Sequence, residues 1–445
     1  MIVKNEYYTG GHRNTHLIIV ENGQKYKMYG IAFDLGTTTL EGYFCDIESG
    51  EIIKTEKCLN PQQKYGLDVL SRVSYSQGAE ENARNLAKIL EDAIRRMVTG
   101  FLGGLEHKKQ LLRIAFVGNP VILGSIRKVN FSDLAQEIII PPAIGGFVGA
   151  DALMASYMCE KKRGHENVLM IDVGTNTEIV LLTDEGAYAT SAASGPAFEG
   201  GNISCGMVGG SGAIDKCVLT DGVSVKIDII YHVMEKDGES VAPSGICGSG
   251  LLDILGILLE SGAIDNTGYY SESLVNKGKS IPGRIYGRIK QGSSSAEEET
   301  GKNPEDNQRY FELTKGISIT QQDIRNLQLA ISAIRSGVEM LFMKARLTDA
   351  VIECVYMAGN FGSHLSEESL LRCGMLPSGL RGKVVQSGNL AGVGACELIL
   401  EEATISDVIE YKKSILTVSL ADEEQFKDLF FKYMNFPQSI LEDMP

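Results

Sequence analysis

A six-residue pattern occurs twice in this chain, and it restricts the fold more than any other feature. Asp34-Leu35-Gly36-Thr37-Thr38-Thr39 follows the apolar run Tyr29 to Phe33, and Asp172-Val173-Gly174-Thr175-Asn176-Thr177 follows Asn167 to Ile171. Each copy reads as a buried strand, an acidic residue, a glycine turn with hydroxyl side chains, and a second strand. Close backbone approach, N–H and O–H donors and a carboxylate that holds Mg²⁺ through water are what a nucleotide phosphate tail needs. Two such loops facing each other are expected to grip that tail from both sides. One copy alone would be read as a capped turn; the shared D-x-G-T-x-T spelling points to internal duplication.

Around each copy the pattern is strand, loop, strand, turn, strand, then helices alternating with strands. Leu112 to Val117 reads as a buried strand, and Pro120 suits the first turn of a helix. Ile324, Leu327, Ile331, Ile334, Val338 and Leu341 recur at intervals of three and four, one face of a long amphipathic helix. Val351 to Met357 and 384–388 read as strands, and Leu390 to Glu402 as a closing helix. The expectation is an α/β chain with mixed sheets flanked by helices, built twice. The expected division is 1–29 as a strand or hairpin extension, 30–165 and 166–404 as two lobes, and 405–445 as a strand-helix tail. The polar stretch 291–309 is expected to be a mobile surface loop within the second lobe.

The formal net charge of −15 disfavours nonspecific binding to nucleic acid or anionic membrane. No apolar run of about 18 residues suggests a membrane span, and Met1 to Glu6 carries no signal-peptide pattern, so the expected location is cytoplasmic. The nine cysteines are scattered without a C-x-x-C pair. This argues for reduced buried thiols, Cys205 and Cys247 included, and against a disulfide framework or a local metal site. The six histidines show no ligand spacing. No G-x-x-x-x-G-K-[ST] occurs, and loops that feed strands rather than helices do not fit the dinucleotide pattern.

Taken together, the motif pair, the Gly149-Ala150-Asp151-Ala152 helix and Ala358-Gly359-Asn360-Phe361-Gly362 resemble the actin, sugar kinase and heat-shock chaperone (ASKHA) ATPase superfamily. The resemblance implies a two-lobed, duplicated, ribonuclease H-like fold with ATP and Mg²⁺ between the lobes. It implies phosphate contacts from Gly36, Thr37, Thr38 and Thr39 and from Gly174, Thr175 and Asn176, with Asp34 and Asp172 serving the metal. It assigns adenosine to the late loop of Gly359, Asn360, Phe361 and Gly362. Gly209-Gly210 and Gly248-Ser249-Gly250 are further nucleotide candidates, the alternative being packing turns. Glu199 and Asp151 are candidates to orient the attacking water.

Ile171 to Val180, Gly195 to Gly200, Gly245 to Gly250 and Gln322 to Ala330 look like one subgroup, the reductive activators of corrinoid proteins. These are ATP-dependent activases that restore cob(I)alamin from cob(II)alamin. Membership implies a corrinoid-containing protein as partner and a homodimer. Such activases usually carry an N-terminal [2Fe–2S] domain, a linker and a middle domain. Residues 1–29 and 397–445 hold no cysteine and no C-x₄-C-x₂-C run occurs. The chain therefore resembles the ATPase core alone, with no iron–sulfur cluster of its own and electrons from a separate iron–sulfur protein. A small-molecule kinase and a non-catalytic ATP sensor are the rival readings.

Overall fold

The computed structural model describes residues 2–9, 12–21, 24–103, 111–220, 228–236, 238–271, 275–276, 279–280, 283–292, 309–362 and 364–438. The expected 291–309 loop falls almost wholly outside them, as do Asn22 and Gly23, an Asn-Gly pair whose spelling reads as a hairpin turn. The chain divides into two compact units, one of Met1–His165, Glu185–Ala189 and Asn389–Thr417, the other of Glu166–Asp184, Thr190–Gly388 and Val418–Pro445.

In the first unit, strands Ile2–Thr9, His12–Glu21 and Gln24–Tyr26 form an antiparallel sheet. The main sheet runs in the order Glu51–Leu59, Thr39–Asp46, Tyr29–Leu35, Leu111–Gly118, Glu137–Ile139. The central strand Tyr29–Leu35 is antiparallel to its hairpin partner and parallel to Leu111–Gly118. Its alternate residues face opposite ways, and both faces are covered. Ile31, Phe33, Leu35 and Phe44 join Leu90, Ile94 and Phe101 of helix Glu80–Leu102 in one core, where Phe33 and Phe116 stack at 5.4 Å.

Helix Leu390–Leu400 lies on the other face, against Gly30 and Tyr43. Gly392 is required there, because a Cβ would sit 2.6 Å from the Tyr43 hydroxyl and closer still to the ring. Arg113 donates to the Ile399 carbonyl at 3.2 Å, and Lys161 meets Glu397 at 2.6 Å. These contacts correct the expected 166–404 lobe. The closing helix packs with the first unit, and the tail divides between units at 417/418. The tail also holds a helix the periodicity did not reveal, Ile405–Lys413; its strand, expected at Ile415 to Leu420, spans Ile415–Thr417, and its amphipathic helix is Glu424–Tyr433.

In the second unit the strand order is Val384–Gly388, Cys354–Ala358, Val168–Asp172, Thr177–Thr183. Val168–Asp172 is antiparallel to its hairpin partner and parallel to Cys354–Ala358, which is parallel to Val384–Gly388. Each motif strand thus has the same neighbours in the same directions, which is the duplication seen as topology. Helix Gln321–Ala345 lies against Thr177–Thr183 through Gly337 and Ile179. It opens with a capping box between Thr320 and Asp323, and its six periodic apolar residues are all buried.

Candidate functional site

Asp34 lies on the last turn of its strand, opposite Glu41 on one side and Val117 on the other. Asp172 ends the equivalent strand, opposite Glu178 and Ala358. Both motifs therefore put a carboxylate at the same end of a central strand.

The first hairpin is held by its carbonyls. Asn60 Nδ2 donates to the Gly36 carbonyl at 2.9 Å and Arg72 Nη2 to that of Thr37 at 2.6 Å. The Asn60 backbone N–H (2.8 Å) and Gln63 Nε2 (3.3 Å) donate to that of Thr38. With its acceptors taken, what the loop offers a ligand is N–H and O–H. Thr37 Oγ1 accepts from Asn119 Nδ2 at 3.3 Å, which leaves its own hydrogen to point elsewhere. Thr39 opens the returning strand.

One amide joins the two acidic groups of this hairpin. Asn389 Nδ2 donates to Asp34 Oδ2 at 2.7 Å and to Glu41 Oε2 at 3.0 Å, while Asn389 Oδ1 caps the closing helix by accepting from the Gly392 N–H at 2.8 Å. Glu41 is buried and also meets Lys57 at 3.0 Å. Tyr43 beside them has its hydroxyl pushed far up by burial and by the Glu41 and Asp34 charges.

Asp151 sits in the first turn of helix Ala150–Arg163 and accepts from the Ala152 N–H at 2.8 Å. Gly149 lies between the Asp151 carboxylate and the Gly118–Asn119 backbone. Asn119, which donates to Thr37, therefore lies beside the start of the helix that carries Asp151, within one unit. Asp151 is half-buried, and desolvation pushes its carboxyl up to about 6.

In the second unit Thr175 Oγ1 donates to Glu199 Oε2 at 2.8 Å, and Gly174 lies beside the other oxygen of the same carboxylate. Glu199 is thereby brought to the second hairpin. Ser194 Oγ bonds the Gly174 carbonyl at 3.0 Å and is 2.8 Å from Thr177 Oγ1, and the Gly195 N–H donates to the Thr175 carbonyl at 2.9 Å. These bonds fix the turn that contains Asn176.

The expected adenosine loop is a turn of helix, Gly359–Gly362, set on the end of strand Cys354–Ala358. The side chains of Asn360 and Phe361 lie outside the described residues. Gly359 has φ +79°, and a Cβ on it would overlap Asp172 Oδ1. The strand ends against that carboxylate, and a left-handed residue without a side chain is what reverses the chain there. Gly359→Ala is expected to destabilise the chain by about 1–3 kcal/mol in urea unfolding. In an Asp172→Gly background the penalty is expected to shrink, since the overlap is gone.

Gly248, Ser249 and Gly250 are buried in the first turn of helix Gly248–Glu260. Ser249 Oγ donates to the Asp215 carbonyl at 2.7 Å, and Gly250 abuts the Ile214 carbonyl. Among the described residues no contact joins them to the hairpins. Gly209 and Gly210 form a bend before strand Ala213–Leu219, closed by a 2.9 Å bond from the Ala213 N–H to the Gly210 carbonyl. Cys247 is a buried thiol, and Cys205 Sγ accepts from the Ser318 N–H at 3.4 Å. Among the described residues no three His, Cys, Asp or Glu side chains are placed to hold a metal ion, and no helix is long and apolar enough to cross a membrane.

Asn389, Glu41, Asn119, Asn60 and Arg72 were not singled out by the sequence reading. Glu41 carried a signal, as the one charge inside the apolar strand Leu40 to Cys45. The asparagines carried none, being ordinary cap residues until the fold places them.

The family model for the C-terminal domain of RACo, the ASKHA domain, matches residues 166–445, and that for the RACo middle region matches 29–141. The first half, expected as an ATPase lobe, is thus matched as the middle region, and the chain spans both parts. The corrinoid activation enzyme RamQ of Eubacterium limosum is 29% identical over 482 residues, covering 98% of this chain and 76% of that protein. The [Co(II) methylated amine-specific corrinoid protein] reductase of Methanosarcina barkeri is 27% identical over 460 residues, covering 92% and 77%. A solved structure of a reductive activator for corrinoid,iron-sulfur protein superposes with a TM-score of 0.75 at 25% identity, covering 95% of this chain and 70% of that one.

Proposed function

The chain belongs to the RACo family, and from that membership we propose that it is an ATP-dependent activator of a corrinoid-containing protein. The observation that carries this reading is the equivalent placement of Asp34 and Asp172 in two sheets of matching strand order. The surroundings of each suit phosphate: beside Asp34 the Thr37 hydroxyl and the carbonyl-braced loop, and beside Asp172 the Gly359 turn. Each hairpin supplies its own aspartate, so Mg²⁺ would be shared with phosphate oxygens and water rather than caged by protein. Asp151 and Glu199 are the carboxylates to position water. Asp151 suits a base, because its raised pKa lies nearer the working pH.

ATP binding and hydrolysis would act on the partner through differential affinity for its Co(II) and Co(I) states, since a ligand shifts an equilibrium only by that difference. Electrons would come from a separate iron–sulfur protein, and the activator would work as a homodimer in the cytoplasm. The test mixes the chain with a Co(II) corrinoid protein and a low-potential reductant. With Mg·ATP the Co(II) absorption is expected to decay to that of Co(I). A Co(II) spectrum that persists equally with and without nucleotide defeats the proposal.

A further inference from the structure

We propose that Arg72 is the positioning residue of the first phosphate hairpin, acting from behind the loop by holding its backbone and by placing a buried positive charge there. The inference rests on the nucleotide reading of Asp34 to Thr39 and says which residue outside that motif makes the loop receptive to a polyphosphate.

Arg72 is the largest fully buried side chain among the described residues, 1% exposed. Its guanidinium is used as a fork, with Nε donating to the Gly66 carbonyl at 2.9 Å and Nη2 to the Thr37 carbonyl at 2.6 Å. Burying a guanidinium is unfavourable unless its donors are satisfied; Arg72 gives two of them to backbone carbonyls of two loops, with the Asp68 carboxylate within electrostatic reach. The fork joins two loops: Gly66 closes the turn Pro61–Tyr65, and Thr37 is the middle of the hairpin. The same turn supplies Asn60 and Gln63 to the carbonyls of Gly36 and Thr38. It is itself anchored by Gln62, whose Nε2 donates to the Leu86 carbonyl of helix Glu80–Leu102 at 3.0 Å.

Three consecutive carbonyls are therefore drawn to one side by three side chains from residues 60–72. A carbonyl dipole facing a phosphate repels it, and a fixed cation one residue behind the loop attracts it with little screening by water. Both effects grow with ligand charge. The brace should discriminate by phosphate number, which a residue that only stabilised the fold would not do.

The experiment uses the full chain and titration calorimetry with Mg·ATP, Mg·ADP and adenosine. Arg72→Gln is expected to weaken Mg·ATP about tenfold or more, Mg·ADP less, and adenosine by less than about twofold. Arg72→Lys keeps the charge and loses the fork, and is expected to recover part of the Mg·ATP affinity. Gln63→Ala removes one brace bond at a half-buried site and is expected to weaken Mg·ATP about two- to fivefold without touching adenosine. Equal losses for adenosine and ATP, or no loss for ATP, overturn the inference. If Arg72→Gln does not fold, unchanged ATP-to-adenosine ratios in Arg72→Lys and Gln63→Ala overturn it. A wild-type chain that does not bind Mg·ATP instead defeats the nucleotide reading itself, and the inference with it.

Discussion

Asn389→Asp is expected to destabilise the chain by about 3–5 kcal/mol at pH 8, and by much less at pH 5. The substitution separates two jobs of one side chain. Aspartate caps a helix about as well as asparagine, so the 2.8 Å bond from the Gly392 N–H survives. The other end inverts: a donor shared by Asp34 and Glu41 at 2.7 and 3.0 Å becomes a third carboxylate oxygen against two others. At least one of the three must then hold a proton in the folded state, so its folded pKa lies above its unfolded value. The sign follows: the folded state binds more protons, and stability falls as pH rises from the unfolded carboxylate range through the raised pKa. Urea unfolding at pH 5, 6, 7 and 8 reads this directly. Asn389→Ala, which loses cap and bridge together, is expected to show a flatter pH dependence. A pH-independent loss in Asn389→Asp would mean that the amide does not bridge the two acids. Mg·ATP binding should fall alongside stability, because the aspartate expected to serve the metal is one of the three.

The parts of this architecture visible in the sequence were those set by local physics. A buried strand followed by Asp and Gly announces itself by composition, and Ile324 to Leu341 announces a helix face by period. Both are properties of segments shorter than about 25 residues. The allegiance of Leu390–Leu400 was not visible, because a helix apolar nearly all round has no face to show which sheet it covers. What settles it is the pairing of Gly392 with Tyr43, two residues far apart in the chain. Asn389 lies 355 positions from Asp34 and was hidden for the same reason. The Gly359–Gly362 segment misled in the opposite direction. Two glycines read as an open loop, yet the first supplies the reversal at Asp172, and the chain then closes a helical turn. Gly248-Ser249-Gly250 shows another use of small residues: they let a helix start fit beneath the Ile214 and Asp215 carbonyls.

Asp151→Asn is expected to raise stability while lowering ATP turnover, an opposition that a residue kept for the fold would not show. The Asp151 carboxyl is pushed up to about 6 by desolvation. An acid with a folded pKa above its unfolded one penalises the folded state. The penalty is absent below the unfolded pKa near 4, grows through the interval, and is complete above about pH 6. Two pH units correspond to about 3 kcal/mol at most, and a neutral amide carries none of it. Relative to wild type, Asp151→Asn should therefore be equal in stability near pH 4 and more stable by about 1–3 kcal/mol at pH 8. The Ala152 N–H can still be accepted by the amide oxygen, so the helix start is not the source of the change. If Asp151 accepts a proton from the attacking water, kcat for ATP should fall about 10²- to 10⁴-fold with Mg·ATP affinity nearly unchanged. Glu199→Gln offers the contrast. Its carboxylate already takes the Thr175 hydroxyl at 2.8 Å, so its loss should disturb the second hairpin and weaken nucleotide binding as well as turnover. A stability gain at pH 8 with full turnover would leave Asp151 desolvated but idle, and the role of base would pass to Glu199.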